Sequence, residues 1–241
     1  MQEFVGKYKY FILIFIGLII VSLFFLKRDR IVIIDGVNGV FTYNGKWGYN
    51  SKLSKYDSKK YYIYSGNEYL GNYKMKYGSG WVVYNSEEIM SYDYDLLATN
   101  SDKIKVVSYE EVDKDYDSSI RQFLSGRNIY SSNFYYSLYE YDIDGDSLSE
   151  PLIFLSNFSM QNTEEKIYSF VLLYNDNNFI PIKYSISTDI SNVELYSFSS
   201  MFDNNGHVQF IINTNYFSKP NEMCQELFEY NNGIKKLYTC K

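Results

Sequence analysis

The stretch that decides the fold is Phe134–Ser159, FYYSLYEYDIDGDSLSEPLIFLSNFS. Its two ends are aromatic and aliphatic runs. Its middle, Asp142-Ile143-Asp144-Gly145-Asp146-Ser147-Leu148-Ser149-Glu150, is polar and acidic. Aromatic and branched residues suit a pleated surface, and Asp, Gly and Ser mark turns, so the stretch predicts strand, loop, strand. Val193–Ser218, VELYSFSSMFDNNGHVQFIINTNYFS, aligns with it without a gap 59 residues further on. Asp144 falls on Asp203, Asp146 on Asn205 and Glu150 on Gln209. Each copy leads into a further hairpin, Phe170–Ile182 in the first and Cys224–Cys240 in the second. Multi-stranded repeats of this size suggest propeller blades or repeated sandwich halves.

The same grammar extends upstream. Ile31–Asp35, Val40–Tyr43, Tyr61–Tyr64, Trp81–Tyr84 and Ile104–Val107 read as strands, as do Ile167–Tyr174 and Val208–Asn213 in the repeat region. Asn38-Gly39, Asn44-Gly45 and Asn232-Gly233 are hairpin-type turn signals. One helix is expected near 117–125, capped by Asp117 or Ser118, with Ile120, Phe123 and Leu124 inward and Gly126 at its end. The expectation is a mainly β, antiparallel domain over 31–241, with any subdivision near 115–130. Its 28 Tyr and 17 Phe read chiefly as core and cross-strand pairs.

Residues 11–26, FILIFIGLIIVSLFFL, carry no charge and no Pro. Sixteen residues span roughly 24 Å as a helix, slightly short of the ~30 Å bilayer core, and flanking Lys side chains can snorkel across the difference. Lys27, Arg28, Asp29 and Arg30 follow, where a cleaved leader would need small residues. Residues 1–30 therefore read as a tail and a single-pass anchor in the lipid bilayer. Of 23 Lys+Arg and 29 Asp+Glu, five and two lie in residues 1–30, leaving 18 and 27 beyond. The flanking basic residues slightly favour a cytoplasmic domain, whereas its acidity and cysteine pair favour an extracytoplasmic one at the cell surface. The second reading is preferred.

Four carboxylates in nine residues repel one another unless solvated or neutralised. Calcium takes six to eight oxygens, so Asp142, Asp144 and Asp146, the Leu148 carbonyl and Glu150 are candidate ligands. A plain turn, with Asp side chains bonded to their own backbone, is the alternative. An EF-hand is excluded, because its twelfth position falls on Ile153 within a strand. In the second copy Met201 replaces Asp142, and Asp203, Asn205 and Gln209 form a degenerate loop with fewer carboxylates.

These residues resemble the calcium loops of FG-GAP (VCBS-like) repeats, known from the propeller of integrin α-subunits. The resemblance covers 134–159 and, degenerately, 193–218. It implies a calcium loop between two strands of one blade, in adhesion or ligand-binding modules. Ser147 stands where that family usually has Gly, and Gly145 is the nearest residue able to supply the backbone freedom.

Cys224 and Cys240 flank Asn231-Asn232-Gly233. A three-residue loop pairs Tyr230 with Ile234 and sets Cys224 opposite Cys240, close enough for a disulfide. A two-residue turn would put them out of register and leave free thiols. His207 is the one histidine, with no nucleophile motif nearby, and no HExxH, GxSxG, GxxxxGK[ST] or GxGxxG occurs. No catalytic residue can be named. The acidic domain disfavours nucleic acid, whose phosphates would repel it. The expected function is a membrane-anchored β-repeat domain that binds a protein or glycan, with calcium as a structural ion. A structural or regulatory subunit of a membrane complex and a surface hydrolase with an unrecognised carboxylate pair are the alternatives.

Overall fold

The structure is a computed structural model that describes residues 13–19, 31–36, 39–50, 53–66, 68–77, 81–85, 88–91, 96–107, 109–131, 133–158 and 166–239. Residues 13–19 form a helix, α1, whose side chains at Leu13, Ile14, Phe15, Ile16, Leu18 and Ile19 are all exposed. The remainder of the 11–26 anchor lies outside the described residues. No described helix is long and apolar enough to cross a membrane.

Beyond α1 the protein is mainly antiparallel β. Sheet 1 has eight strands in the order β3-β2-β1-β8-β4-β5-β6-β7. They are β1 (Ile31–Asp35), β2 (Gly39–Tyr43), β3 (Trp47–Tyr49), β4 (Lys59–Ser65), β5 (Glu68–Tyr77), β6 (Trp81–Asn85), β7 (Glu88–Ser91) and β8 (Leu96–Thr99). The chain then contributes β9 (Ile104–Val106) and β10 (Glu110–Glu111) to two separate sheets before forming α2 (Asp117–Ser125). The repeat region follows as β11 (Tyr135–Tyr141), β12 (Glu150–Ser156), β13 (Ile167–Asn175) and β14 (Asn178–Ser187), then β15 (Glu194–Asn204), β16 (Val208–Tyr216), β17 (Lys219–Tyr230) and β18 (Ile234–Tyr238). Sheet 2 runs β10-β11-β12-β13-β14 and sheet 3 runs β18-β17-β16-β15-β9. Each aligned copy thus folds as a four-stranded meander, with one extra short strand beside its first strand.

The three sheets stack face to face. Leu152, Phe154, Val171 and Leu173 of sheet 2 share a core with Met201, Phe210, Ile212 and Phe228 of sheet 3. The other face of sheet 3, through Phe202, Ile211 and Leu227, packs on Ile33, Phe41 and Leu97 of sheet 1. The other face of sheet 2 is covered by α2 through Ile120, Phe123 and Leu124. Alternation explains this, since neighbouring residues of one strand, such as Ile153 and Phe154, enter different cores. Tyr139 stacks on Phe198 between sheets 2 and 3 with ring centroids 4.3 Å apart, and Phe41 meets Tyr238 between sheets 1 and 3 at 5.7 Å. A buried polar contact also ties sheets 1 and 3. Asp35 accepts hydrogen bonds from Ser199 Oγ at 2.5 Å and Gln225 Nε2 at 2.8 Å.

Helix α2 occupies the expected residues but starts and stops differently. Tyr116 precedes it without a side-chain cap, and Asp115 Oδ1 accepts from the Asp117 amide at 2.9 Å. Gly126 is right-handed at φ −60°, and the left-handed turn falls to Asn128 at φ 57°. Asn tolerates that conformation because its short amide can bond locally. At the Asn38-Gly39 signal, Gly39 already pairs with Asp35 in the β1–β2 ladder, and Asn38 lies outside the described residues.

The last hairpin begins in the expected register, with Tyr230 opposite Ile234. A bulge between Leu227 and Phe228 then sets Leu227 opposite Tyr238. The extra residue shifts the count by one, so direct opposition of Cys224 and Cys240 does not follow from the ladder. Cys224 is buried and disulfide-bonded, and Cys240, the one other cysteine in the sequence, lies outside the described residues.

Candidate metal centre

The loop between β11 and β12 opens after the pair Tyr141–Glu150. Pairing stops there because the next residues turn the chain back through two left-handed positions, Gly145 at φ 83° and Ser147 at φ 73°. Both positions supply the bend; Gly145 does not do so in place of Ser147. Asp142 holds the turn from inside, its two oxygens accepting from the Gly145 amide at 2.7 Å and the Ser147 amide at 3.0 Å. Asp144 Oδ1 accepts from the Asp146 amide at 3.2 Å, and Asp146 Oδ1 from the Leu148 amide at 2.8 Å. Leu148 joins the loop through that amide, with its side chain exposed.

One carboxylate oxygen each from Asp142, Asp144 and Asp146 lies within 4.8 Å of the other two. Oxygens on opposite sides of a calcium ion, each at 2.3–2.6 Å, would be roughly 4.6–5.2 Å apart, so the three fit around one such ion. Among the described residues no ion pair neutralises these acids.

Glu150 does not belong to this trio. It is 7% exposed, and its Oε2 accepts from the Ile143 amide at 2.8 Å. Burial raises its pKa, the Ile143 amide opposes that rise, and Asp144, Asp146 and Asp142 push it up further. The acidic field extends beyond the loop. Burial raises the Tyr230 hydroxyl pKa, with help from Asp144, Glu150, Asp176 and Asp146. Asn175, at the β13–β14 hairpin, reaches Asp144 Oδ2 at 3.4 Å. That neighbour is 31 residues away in sequence and no spacing announces it.

The second copy closes differently. Strands β15 and β16 pair as far as Asp203–Val208, and Asn205 (φ 56°) and Gly206 (φ 81°) turn the chain. Asn204 and His207 exchange backbone hydrogen bonds of 2.9 and 3.4 Å. Two consecutive positive φ values in a two-residue loop make a type I′ turn, whose twist matches the flanking strands. Asp203 caps this turn, both its oxygens accepting from the Gly206 amide at 3.0 and 3.1 Å. Gln209 is buried and donates to Glu229 at 2.7 Å. Asp203 is therefore engaged by the turn, Asn205 supplies one of its positive φ values, and Gln209 is held by Glu229.

A second polar assembly carries no sequence motif. Glu226, 3% exposed, accepts from Lys183 across the sheet 2–sheet 3 gap, from Lys236 at 2.8 Å and from Thr239 at 2.6 Å. Lys183 also donates to Thr214 Oγ1 at 2.8 Å and lies 4.6 Å from the Tyr196 ring centroid. Tyr196 in turn donates to Glu194 at 2.7 Å. Only alternation, placing a Glu among the inward residues of β17, hints at it.

No protein-family model matches the chain, and no curated protein or solved structure is significantly similar to it.

Proposed function

We propose that the chain is a single-pass membrane protein whose β-repeat domain, presented outside the cytoplasm, binds a protein or glycan partner and is braced by calcium in the Asp142–Asp146 loop. The observation that carries this reading is the convergence of the Asp142, Asp144 and Asp146 carboxylates within 4.8 Å without a described cationic partner. Such a cluster is strained by its own charge until a hard cation enters it. The ion would stiffen the β11–β12 connection at one end of the sheet 2–sheet 3 core. The stacked meanders, arranged like successive blades, and the resemblance to FG-GAP loops favour a ligand-binding module. The anchor reading draws on α1, a helix apolar on every side whose side chains stay exposed, which suits lipid rather than a protein neighbour.

The experiment is thermal unfolding of the full chain in EDTA, in calcium and in magnesium. Calcium at one hundred times its Kd stabilises by about 2.7 kcal/mol, read as a raised Tm. Magnesium gives a smaller shift. A Tm that millimolar calcium leaves unmoved would refute the calcium centre. Protease added to intact cells tests the placement, and full protection of residues 31–241 would overturn it.

A further inference from the structure

Between the edge strand β14 and sheet 3 a cleft of about 370 Å³ opens. Lys183, Glu194, Tyr196, Tyr216, Glu226 and Lys236 are among its lining residues. Its volume falls in the range of small-ligand sites. It lies apart from the acidic loop: strands β14, β15, β16, β17 and β18 build it, and no loop carboxylate lines it.

The charges define what can enter. Among the described residues, two ammonium groups and two carboxylates line the cleft and leave no net charge for an ion to seek. An anion would have to replace Glu226, which is buried and held by Lys183, Lys236 and Thr239. A cation would face both lysines. A wholly apolar ligand would strip water from Glu194 and Lys236, which is expensive without replacement hydrogen bonds. What remains is a neutral molecule rich in groups that both donate and accept. Its hydroxyls can accept from the spare protons of Lys236 and donate to the second oxygen of Glu194, whose first is engaged by Tyr196 at 2.7 Å. Half-buried Tyr216 supplies an aromatic surface for a ligand face of C–H groups. The lining is ordered beforehand by its own ion pairs, so binding costs little rearrangement.

We propose that this cleft is a saccharide-binding site for a neutral mono- or disaccharide unit. The proposal rests on the ligand-binding reading above and selects the glycan over the protein, independently of whether calcium fills the loop. The test uses the full chain in a zwitterionic detergent, so that no sugar headgroup competes. Saturation-transfer NMR with maltose, cellobiose, lactose and N,N′-diacetylchitobiose reads binding directly. At least one disaccharide should bind. Lys236→Gln and Glu194→Gln, both outside the tightly buried centre, should each weaken it about tenfold, with Tm recorded to confirm folding. Asp144→Asn should bind as the wild type does. The proposal is overturned by the absence of any disaccharide signal at about 10 mM, a ceiling well above useful lectin-like affinity. Equal binding by wild type and both cleft variants would overturn it too, as would a loss in Asp144→Asn, which would move the ligand to the loop. Saccharide binding without any calcium response would refute the calcium centre and leave the cleft standing.

Discussion

Glu150 Oε2 accepts a 2.8 Å hydrogen bond from the Ile143 amide, which ties a buried carboxylate to the loop that carries three others. Its pKa is raised by burial and by its acidic neighbours, against the pull of that amide. An acid with a raised native pKa costs stability when ionised. As pH falls from above that value towards the ordinary carboxylate range, the native state takes up a proton that the unfolded state has not, and stability rises. In EDTA the wild type should therefore gain Tm, relative to Glu150→Gln, as pH is lowered from about 7 towards ~4.5. Calcium should flatten that difference by supplying positive charge. Parallel pH–Tm curves for the two proteins would count against it.

Asp144 and Asp203 occupy equivalent positions in the two copies but different surroundings. Asp144→Asn should abolish the calcium shift in Tm, because it removes one of three converging charges. Asp203→Asn should leave that shift intact and lower Tm only slightly, since it weakens the cap on the Gly206 amide by about 1 kcal/mol or less. Calcium titrations of both variants by thermal unfolding make the comparison. Equal loss of response in both would mean that the ion sits elsewhere.

Ser147 holds φ 73° in the metal loop, a conformation that costs a residue with a Cβ about 1–2 kcal/mol. Ser147→Gly removes the strain but frees the unfolded chain, so the net gain should be up to about 1 kcal/mol. Gly145→Ala, at φ 83°, should lose about as much. Urea unfolding in EDTA checks both signs, and a destabilised Ser147→Gly would mean that the hydroxyl contributes something the geometry does not explain.

Much of this layout was legible because strand formation here follows local alternation. Ile31–Asp35 is β1 residue for residue, and Ile167–Tyr174 falls short of β13 by only Asn175. The helix was legible from Ile120, Phe123 and Leu124 on one face. Other features depend on distant partners. Leu96–Thr99 is buried at every position because it inserts between β1 and β4, and four apolar residues declare no partner. Asn205-Gly206 aligns with a metal loop, yet its readiness for positive φ closes the hairpin first. The bulge at Leu227 and Phe228 shifts a register that counting from the turn alone had to assume constant. Asp142, Asp144 and Asp146 converge as their spacing suggests, whereas Glu150 stays outside that trio and accepts from the Ile143 amide.

Glu226 shows the opposite electrostatics to Glu150 and gives the last prediction. Burial pushes its pKa up, but hydrogen bonds from Lys183, Lys236 and Thr239 outweigh burial and leave it lowered. Its contribution to stability is therefore complete above the unfolded carboxylate pKa and is lost as pH falls through the lowered native value. Glu226→Gln leaves Lys183 facing a neutral amide in a mostly buried site, and breaking a buried pair in this way costs about 3–5 kcal/mol. Removing the partner as well, in Glu226→Gln with Lys183→Met, should recover part of that loss, because no buried charge is then left uncompensated. Denaturant unfolding of the two singles and the double gives the coupling energy. Additive losses would show that the Lys183–Glu226 contact contributes nothing to stability.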